Sequence, residues 1–277
     1  MSEIKNILEK HQFRYKQSLG QNFITDTNLL SSIVKDSGID GDTVVIEIGA
    51  GAGTLTKALA AVSRKVFAYE IDENLIPVLN DYLKDTANVE IINKDIMKVG
   101  DDEIRELAGG KFAVVANLPY YITTPVIMRF LESDMDVQSL TVMVQKEVAD
   151  RIVAKPATAE YGAITAGIDI VADAYITRNV TRKLFYPVPN VDSAVLRINI
   201  NKNKYPIGDI NILRRLIRCA FGMRRKTLIN NICSAFPIKK DQGIKLLNEM
   251  GLDDKIRGEA LNTGQFVQLA NIIGEIL

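Results

Sequence analysis

The sequence predicts an α/β protein in which a parallel, doubly wound sheet precedes a small all-helical domain. Two observations carry this prediction. Between residues 43 and 144, short apolar runs rich in valine and isoleucine alternate with helix-like segments, as in a parallel sheet covered by helices. From residue 210 to 276 the pattern changes to short amphipathic helices. We therefore predict a sheet domain at residues 1–203, with an N-terminal arm at 1–25, and a helical domain at 204–277.

Five segments of the first domain have the composition of buried strands, because each is a short run of β-branched and apolar residues. In chain order they are TVVIEIG, KVFAYEI, VEIINKD, KFAVVAN and SLTVMVQ. Helices are predicted between them at Asn74–Leu83 and at Pro125–Leu131, the second with Thr124 as its N-cap. Ligands of such sheets bind at the carboxyl ends of the strands, so the residues that follow each strand are the candidates for a site.

The remaining segments complete the predicted architecture. In KLFYPVPNVDSAVLRINI, two prolines and a turn come before a strand-like run, which predicts an antiparallel hairpin that closes the sheet edge. NKNKYPIGD has the composition of a linker. In the helical domain, Pro237, Gly251 and Gly264 are expected to separate the helices.

Composition narrows the class of protein. Of 277 residues, 47% are hydrophobic and 25% are charged, as in ordinary globular proteins, and no apolar run is long enough to span a membrane. The polar N-terminus lacks the apolar block of a secretion signal, so we predict a cytoplasmic protein. Cys219 and Cys233 are too few for a disulfide framework and too far apart for a metal motif. We predict no metal site, and we expect His11, the only histidine, on the surface of a mobile arm.

A glycine loop follows the first predicted strand. The sequence IEIGAGAGTLT places Gly49 and Gly51 between this strand and a helix that begins near Thr54. Glycines there allow a tight turn and let a ligand approach the backbone. The spacing is unlike the G-x-G-x-x-G pattern of dinucleotide sites, because Thr54 stands where that pattern needs glycine.

Acidic residues follow the next two strands. Glu70 can accept both hydroxyls of a ribose, and Ile71 beside it is assigned to the same site. The alternative is that Glu70 caps the following helix, a role that Asp72 fits better. Asp95 can accept from an adenine amine while Ile96 lies on the ring. A glycine loop, a ribose acid and an adenine acid at three successive strand ends predict S-adenosylmethionine rather than NAD.

The fourth strand ends in Asn117, Leu118, Pro119 and Tyr120. The exocyclic amine of adenine is a poor nucleophile, because its lone pair is delocalised into the ring. The side-chain oxygen of Asn117 and the carbonyl of Leu118 can accept its two hydrogens and aim the lone pair at an activated methyl group. Tyr120 offers a face on which an extruded base can stack. A proline turn with a core tyrosine is the alternative, but it leaves Asn117 without a purpose.

Five motifs occur in the order and spacing of a known family. They are QSLGQNFITD, IEIGAGAGTLT, ANLPYY, VQKEVADRIVAKP with EYG, and FYPVPNVDSAV. The chain resembles the KsgA family of 16S ribosomal RNA adenine-N6,N6-dimethyltransferases, relatives of the Erm methyltransferases, over about residues 13–275. The resemblance implies a Rossmann-like class I S-adenosylmethionine-dependent methyltransferase domain with a C-terminal helical domain that binds RNA.

The resemblance also implies further site residues. Asn22 and Ile24 would line the methionine end of the cofactor, although most relatives have leucine at position 24. The family's other cofactor positions fall on Gly49, Glu70, Asp95 and Asn117. Ala50 replaces a proline that is common in the family. Phe185 would sandwich the target adenine opposite Tyr120, and a place in the core is the alternative reading of this residue.

Basic residues concentrate in one segment of a chain whose net charge is zero, since 34 lysines and arginines balance 34 acidic residues. The segment RRLIRCAFGMRRKTLINNI carries Arg214, Arg215, Arg218, Arg224, Arg225 and Lys226 and no acid. Phosphate contact explains such a cluster, and a solvated helix face is the alternative. Lys146 and Arg151 are predicted to extend the RNA-binding surface.

The function that the resemblance implies is dimethylation of two adjacent adenosines in a hairpin loop near the 3′ end of 16S rRNA. The substrate would be the precursor 30S subunit, and the enzyme would be a monomer without membrane contact. The nearest alternative is an Erm-type enzyme acting on 23S rRNA. A ribosome-assembly factor in which catalysis is secondary is a further alternative, and a dehydrogenase is the weakest.

Overall fold

The structure, a computed structural model, describes residues 3–16 and 19–277, so Gln17 and Ser18 of the first motif lie outside the described residues. Within the described residues a seven-stranded sheet has the order β4-β3-β2-β5-β6-β9-β7, and a two-stranded sheet pairs β1 with β8. The strands are β1 Phe23–Ile24, β2 Val44–Ile48, β3 Lys65–Tyr69, β4 Val89–Ile92, β5 Phe112–Asn117, β6 Val137–Gln145, β7 Ala172–Val180, β8 Phe185–Tyr186 and β9 Ser193–Ile200.

The central part of the sheet is parallel, as predicted. Strands β4, β3, β2, β5 and β6 pair in parallel with their neighbours, and each coincides with one of the five predicted strand segments. β9 is antiparallel to β6, but the hairpin predicted in KLFYPVPNVDSAVLRINI is wrong, because the other strand of that segment, β8, pairs with β1 in the two-stranded sheet. β9 also does not close the sheet edge, because β7 lies beyond it. β7 was not predicted, since only its two end residues are buried and polar residues interrupt its apolar ones.

Helices connect these strands and form the C-terminal region. They are α1 Glu3–Lys10, α2 Thr27–Ser37, α3 Thr54–Ala60, α4 Ile76–Tyr82, α5 Asp101–Ala108, α6 Thr123–Glu132, α7 Lys146–Ile152, α8 Ala163–Asp169, α9 Ile210–Gly222, α10 Leu228–Ala235, α11 Lys240–Glu249 and α12 Thr263–Ile276. None of the helices in the described ranges is long and apolar enough to cross a membrane.

Two predicted helix boundaries were wrong. Thr124 lies inside α6 rather than at its N-cap, and Gly264 lies in the first turn of α12. Pro125 is tolerated in α6 because the first turn of a helix has no intrahelical acceptors for its N–H groups.

The chain divides into two compact units. The first comprises residues 1–149 and 175–200, and the second comprises 150–174 and 201–277. The predicted single boundary at residue 203 therefore differs from the observed division, because an earlier segment belongs with the helices. Tyr161 explains this, since it is buried in the core of the second unit and its hydroxyl donates to the Leu261 carbonyl at 2.8 Å.

Helices of the second unit pack around one apolar cluster. The buried face of α9 contributes Leu213, Leu216, Ile217 and Ala220, while α12 contributes Phe266 and Leu269. Two glycines allow close approach of their neighbours. A Cβ at Gly258 would lie 2.7 Å from the Cβ and 2.8 Å from the carbonyl oxygen of Ala220. A Cβ at Gly243 on α11 would overlap the Cδ1 atom of Ile229 on α10.

The N-terminal arm packs within the first unit, and its expected mobility stays a prediction. Ile4 and Leu8 of α1 are buried in an apolar cluster with Val78 of α4. His11 is not simply an exposed residue, because its Nε2 lies 3.0 Å from the carboxylate of Asp81. The arm is thus held by apolar packing and by the ion pair of Lys10 with Asp81 at 2.6 Å.

Candidate active site

A cavity of about 250 Å³ lies where the parallel strands of the first unit end. Its wall brings together nine of the predicted site residues, which are Asn22, Gly49, Gly51, Glu70, Ile71, Asp95, Ile96, Asn117 and Pro119. These residues come from the arm and from the ends of four strands, so the sheet order places them together as strand-end reasoning predicted. Four predicted residues are not among those that line the cavity: Ile24, Leu118, Tyr120 and Phe185.

The glycine loop forms one wall of the cavity through left-handed backbone conformations. Gly49 has φ 74° and Gly51 has φ 59°, values that favour glycine. A Cβ at Gly51 would lie 3.0 Å from the ring of Phe23, so this wall leaves no room for a larger residue. The Ala50 N–H donates to the Tyr69 carbonyl at 3.0 Å. Proline has no N–H, so alanine here adds a backbone bond that the proline common in the family lacks.

Glu70 lies at the centre of this wall and is 5% exposed. Its Oε2 accepts from the Gly51 N–H and its Oε1 accepts from the Asp72 N–H, both at 2.8 Å. Burial raises the pKa of Glu70 above its ordinary value, although the amides of Asp72 and Gly51 favour the ionised form. Each carboxylate oxygen can accept more than one hydrogen bond, so both remain suitable acceptors for ribose hydroxyls.

Asp95 and Ile96, which follow β4, also line the cavity. Asp95 caps a short 3₁₀ turn, because its Oδ1 accepts from the Met97 N–H at 3.0 Å. Ile96 is buried, as an apolar support for a ring requires. Asp95 Oδ2 lies 3.9 Å from the ammonium group of Lys98, which is a weak contact, and Asp95 is one of the residues that line the cavity.

Asn117 is held in one orientation by the arm. Its Nδ2 donates to the Asn22 carbonyl at 3.1 Å, while the Nδ2 of Asn22 donates to the Gly20 carbonyl at the same distance. Because the nitrogen end of the Asn117 amide is engaged, its oxygen is the end that can accept from a substrate amine. This contact spans 95 residues of sequence and joins the two motifs GQNFI and NLPY.

The two aromatic residues predicted to hold the target base differ in accessibility. Tyr120 is half-buried, and its hydroxyl lies 3.4 Å from the hydroxyl of Ser193 at the start of β9. Phe185 is 4% exposed and packs in an apolar cluster with Ile24, its partner across the β1–β8 pair. The structure thus supports the alternative reading of Phe185 as a core residue. Contact of Phe185 with a base stays a prediction that requires the ring to leave this packing.

Residues that sequence reasoning missed also border the cavity. Tyr121 is 57% exposed and Met97 is 39% exposed, and both line its wall. Burial raises the pKa of the Tyr121 hydroxyl, and the nearby carboxylates of Asp95 and Glu70 raise it further. The signal that could have found Tyr121 is its position, because it directly follows the NLPY motif. The same signal was available for Gln21, which directly precedes Asn22.

The residues that line the cavity fit a nucleoside cofactor. A glycine cradle that a Cβ would fill, a buried carboxylate held by amides, and a second carboxylate beside an apolar residue occupy the three strand ends. In the described part of the chain no cluster of three or more histidine, cysteine or acidic side chains could hold a metal ion.

Most predicted RNA-binding residues are exposed in the second unit. Arg214, Arg215 and Arg218 project from α9 on the side opposite its buried leucines, and Arg225 and Lys226 are exposed in the following turn.

Arg224 is used differently from its neighbours. Its Nε donates to Glu259 at 3.0 Å, and its terminal nitrogen donates to the carbonyls of Ala159 and Tyr161 at 3.2 and 3.1 Å. These bonds give Arg224 a structural role within the unit. RNA contact by Lys146 and Arg151, at either end of α7, stays a prediction.

The sequence model of one family, described as ribosomal RNA adenine dimethylase, matches residues 12–275. The chain belongs to this family. As a ribosomal RNA adenine dimethylase, it is a methyltransferase, and the predicted resemblance is confirmed. The match extends through both units, so the helical segment is part of the family's common architecture.

Relatives of the dimethylase share its full length. The ribosomal RNA small subunit methyltransferase A of Clostridioides difficile is 43% identical over 272 residues, which cover 97% of this chain and 94% of the relative. The protein of the same name from Lachnoclostridium phytofermentans is 44% identical over 275 residues, with 97% and 95% covered.

Solved structures show the same fold. A dimethyladenosine transferase from Plasmodium falciparum matches with a TM-score of 0.78 and 23% identity over 91% of this chain and 98% of that one. The 23S rRNA methyltransferase ErmE matches with a TM-score of 0.73 and 24% identity over 91% and 99%. At these identities the likeness establishes the fold alone, which is a Rossmann-like methyltransferase sheet with C-terminal helices, as predicted.

Proposed function

We propose that this dimethylase transfers methyl groups from S-adenosylmethionine to the N6 amines of two adjacent adenosines in a hairpin loop near the 3′ end of 16S rRNA. The observation that carries the proposal is the Asn117 amide, which donates to the Asn22 carbonyl in the wall of a cavity lined by Glu70 and Asp95. The relatives' name specifies the small ribosomal subunit, which favours 16S over 23S rRNA. The likeness to ErmE supports only the fold.

The cofactor side of the cavity would bind the nucleoside through its two acids. Glu70 would accept from the ribose hydroxyls, and Asp95 would accept from the adenine amine while Ile96 packs on the ring. Asn22 and Gly49 would border the methionine end. S-adenosylmethionine, when bound, supplies an activated methyl group.

The residues of the NLPY motif would prepare the target amine. Asn117 Oδ1 and the Leu118 carbonyl accept its two hydrogens, so the nitrogen lone pair is directed at the methyl group. Tyr120 is held by Ser193 and offers a ring on which the extruded base stacks. A base in a hairpin loop costs less to extrude than a paired one, which suits the proposed substrate. After transfer the amine is acidic and loses its proton to water, so the scheme needs no protein base.

The substrate would be the assembling 30S subunit, bound in part by the exposed arginines of the second unit. A monomer in the cytoplasm would suffice for this reaction.

The test is methyl transfer from labelled S-adenosylmethionine to purified precursor 30S subunits and to 23S rRNA, followed by mass mapping of methylated adenosines. We expect dimethyladenosine only in a 16S fragment near the 3′ end. Modification of 23S rRNA alone would overturn the proposal in favour of the Erm-type alternative, and binding to precursor subunits without methylation would favour an assembly factor.

A further inference from the structure

Asp72 is a fully buried carboxylate that the scheme above does not use. Its side chain has 0% exposure and lies two residues after the ribose acid. Its Oδ1 accepts from the Asn74 N–H at 3.1 Å, which confirms the predicted helix cap. A cap needs only this one bond and is usually half-exposed, so the cap alone does not explain the burial.

The side-chain Nδ2 of Asn74 also donates to Asp72 Oδ1 at 3.0 Å, and two side chains from the N-terminal arm supply the other contacts. The Lys16 Nζ lies 2.7 Å from Asp72 Oδ1, and the Gln21 Nε2 donates to Asp72 Oδ2 at 2.7 Å. Gln21 is fixed at its other end, because its Oε1 accepts from the Lys16 N–H at 2.6 Å. Burial opposes ionisation of Asp72, but the bonds from Lys16, Gln21 and Asn74 outweigh it and hold the pKa of the carboxyl below its ordinary value.

These contacts connect two walls of the cavity. On one side, Gln21 and Asn22 line the cavity, and the Asn22 carbonyl orients the Asn117 amide. On the other side, the Asp72 N–H holds Oε1 of Glu70 at 2.8 Å. Asp72 is therefore bonded through its side chain to the segment that sets the catalytic amide, and through its backbone to the ribose acid.

We propose that Asp72 is a positioning residue that holds the arm segment of residues 19–23 as a wall of the cofactor cavity. The inference rests on the proposed function in one respect, the identity of the cofactor. Asp72 is not among the residues that line the cavity. It acts through Gln21 and Lys16, so its loss lowers the affinity for the cofactor and loosens the arm while the fold persists.

The decisive variant is Asp72→Asn. Asparagine caps a helix as well as aspartate, so the cap remains, whereas the charge facing Lys16 and one of the acceptors are lost. We expect the Kd for S-adenosylmethionine, measured by calorimetry, to rise about tenfold to a hundredfold, the scale of losing charge-assisted hydrogen bonds. At saturating cofactor the methylation rate should stay within about twofold of wild type. Trypsin should cleave after Arg14 and Lys16 faster than in wild type, and added cofactor should restore protection.

Asp81→Asn is the matched control. Asp81 also anchors the N-terminal segment, through Lys10 at 2.6 Å and His11 at 3.0 Å, but it does not line the cavity. This variant should bind S-adenosylmethionine as wild type does. Gln21→Leu is the second variant, because it removes the arm side of the contact and leaves the cap intact. Its loss of affinity should not add to that of Asp72→Asn in the double variant.

The outcomes separate the two proposals. A wild-type protein that does not bind S-adenosylmethionine would contradict the proposed cofactor, whatever the variants do. Wild-type binding with an unchanged Kd in Asp72→Asn, or with an equal loss in Asp81→Asn, would overturn the positioning role alone. Full additivity of Asp72→Asn and Gln21→Leu would overturn it as well.

Discussion

At the scale of single residues, the amide of Asn117 has one productive orientation because its nitrogen donates to the Asn22 carbonyl. Asn117→Ala removes the acceptor for the target amine but leaves the backbone turn in place. We expect normal folding, RNA binding close to wild type, and a loss of methyl transfer of about a hundredfold or more, as when one oriented polar group at a reacting centre is removed. Single-turnover rates on precursor 30S subunits measure this loss.

Tyr120→Phe is the control for this prediction, since it keeps the ring and loses only the contact with Ser193. It should reduce the rate far less than Asn117→Ala. If Asn117→Ala turned over at the wild-type rate, the NLPY motif would be only a turn.

A second residue, Glu47 of β2, gives the stability of the protein a pH dependence. It is 1% exposed, its Oε2 has no hydrogen-bond partner among the residues that the structure describes, and burial raises its pKa from 4.5 to about 8. The folded protein therefore binds this proton more tightly than the unfolded chain does. The free energy of unfolding should fall as the pH rises from 4.5 to about 8, by at most about 1.4 kcal/mol per pH unit.

Glu47→Gln should remove this part of the pH dependence, because glutamine does not titrate. Urea denaturation of wild type and variant at several pH values across the window measures it. Glu90→Gln, at a carboxylate that is 47% exposed on β4, is the control and should leave the slope unchanged. Parallel curves for wild type and Glu47→Gln would show that Glu47 does not titrate in this range.

Much of the site could be predicted at this scale, and the reason is topological. Glu70, Asp95 and Asn117 follow parallel strands, and strand ends of one sheet meet at one edge. The contact of Asp72 with Lys16 could not be predicted, because it joins residues 56 positions apart and depends on where the arm docks. Phe185 shows a second limit of prediction from sequence. Its motif matches that of the family, but the motif did not show that the ring is buried in the core.

At the scale of elements, the approach of Gly258 to α9 sets a strict size limit. A methyl group there would lie 2.8 Å from the carbonyl oxygen of Ala220, which is backbone and cannot rotate away. Gly258→Ala should therefore destabilise the second unit by about 1–3 kcal/mol, the usual cost of overpacking. Gly167→Ala in α8 is the matched control, because its Cβ would meet nothing within 4 Å.

The control should be neutral or stabilising by up to about 1 kcal/mol, since alanine favours a helix over glycine. Thermal unfolding of both variants measures the difference. Equal unfolding temperatures would mean that the Gly258 segment shifts to make room.

The five parallel strands were easier to predict from the sequence than β7, which belongs to the same sheet. β2, β3 and β5 are buried along almost their whole length, whereas β4, at the edge of the sheet, has no buried residue and was predicted from its valine and isoleucines. β7 was missed because its exposed and buried positions do not alternate cleanly. Gly264 was taken as a break because glycine disfavours helices, but the capping box of Asn262 and Gln265 starts α12 despite it.

At the scale of the whole molecule, net charge is zero and the positive charge that would contact RNA is local. Changing Arg218, Arg225 and Lys226 together to alanine should weaken binding to precursor 30S subunits. It should also reduce the slope of log affinity against log salt by about two to three, one counterion for each lost phosphate contact. Filter binding across a salt series measures both quantities.

Arg224→Ala is the control within the same segment. Because its guanidinium bonds Glu259 and two backbone carbonyls, its loss should cost about 1 kcal/mol of stability and leave the salt slope unchanged. A slope that fell equally in this variant would place Arg224 on the RNA surface instead. An unchanged slope in the triple variant would mean that its three side chains are only a solvated face.

The division of the chain into units was only partly predictable. The sequence pattern changes to amphipathic helices after residue 203, and the larger part of the second unit does follow this change. Residues 150–174 return to that core from an earlier part of the chain, through buried residues such as Tyr161 and Ile170. The composition of residues 150–174 fits either unit, so the sequence alone does not show which unit they join. Their packing partners in the folded protein determine this.

The close packing of α11 on α10 also constrains how this sequence can evolve. Because a Cβ at Gly243 would overlap the Cδ1 atom of Ile229, a lineage can gain a side chain at position 243 only if that end of Ile229 moves aside or position 229 becomes shorter. If the shorter residue is the favoured solution, alanine or serine at 243 should accompany valine or alanine at 229, whereas glycine should accompany isoleucine or leucine. Family alignments should then record covariation between these two positions, and independent drift at them would show that the Ile229 side chain changes rotamer or that the helices part to admit the extra atom.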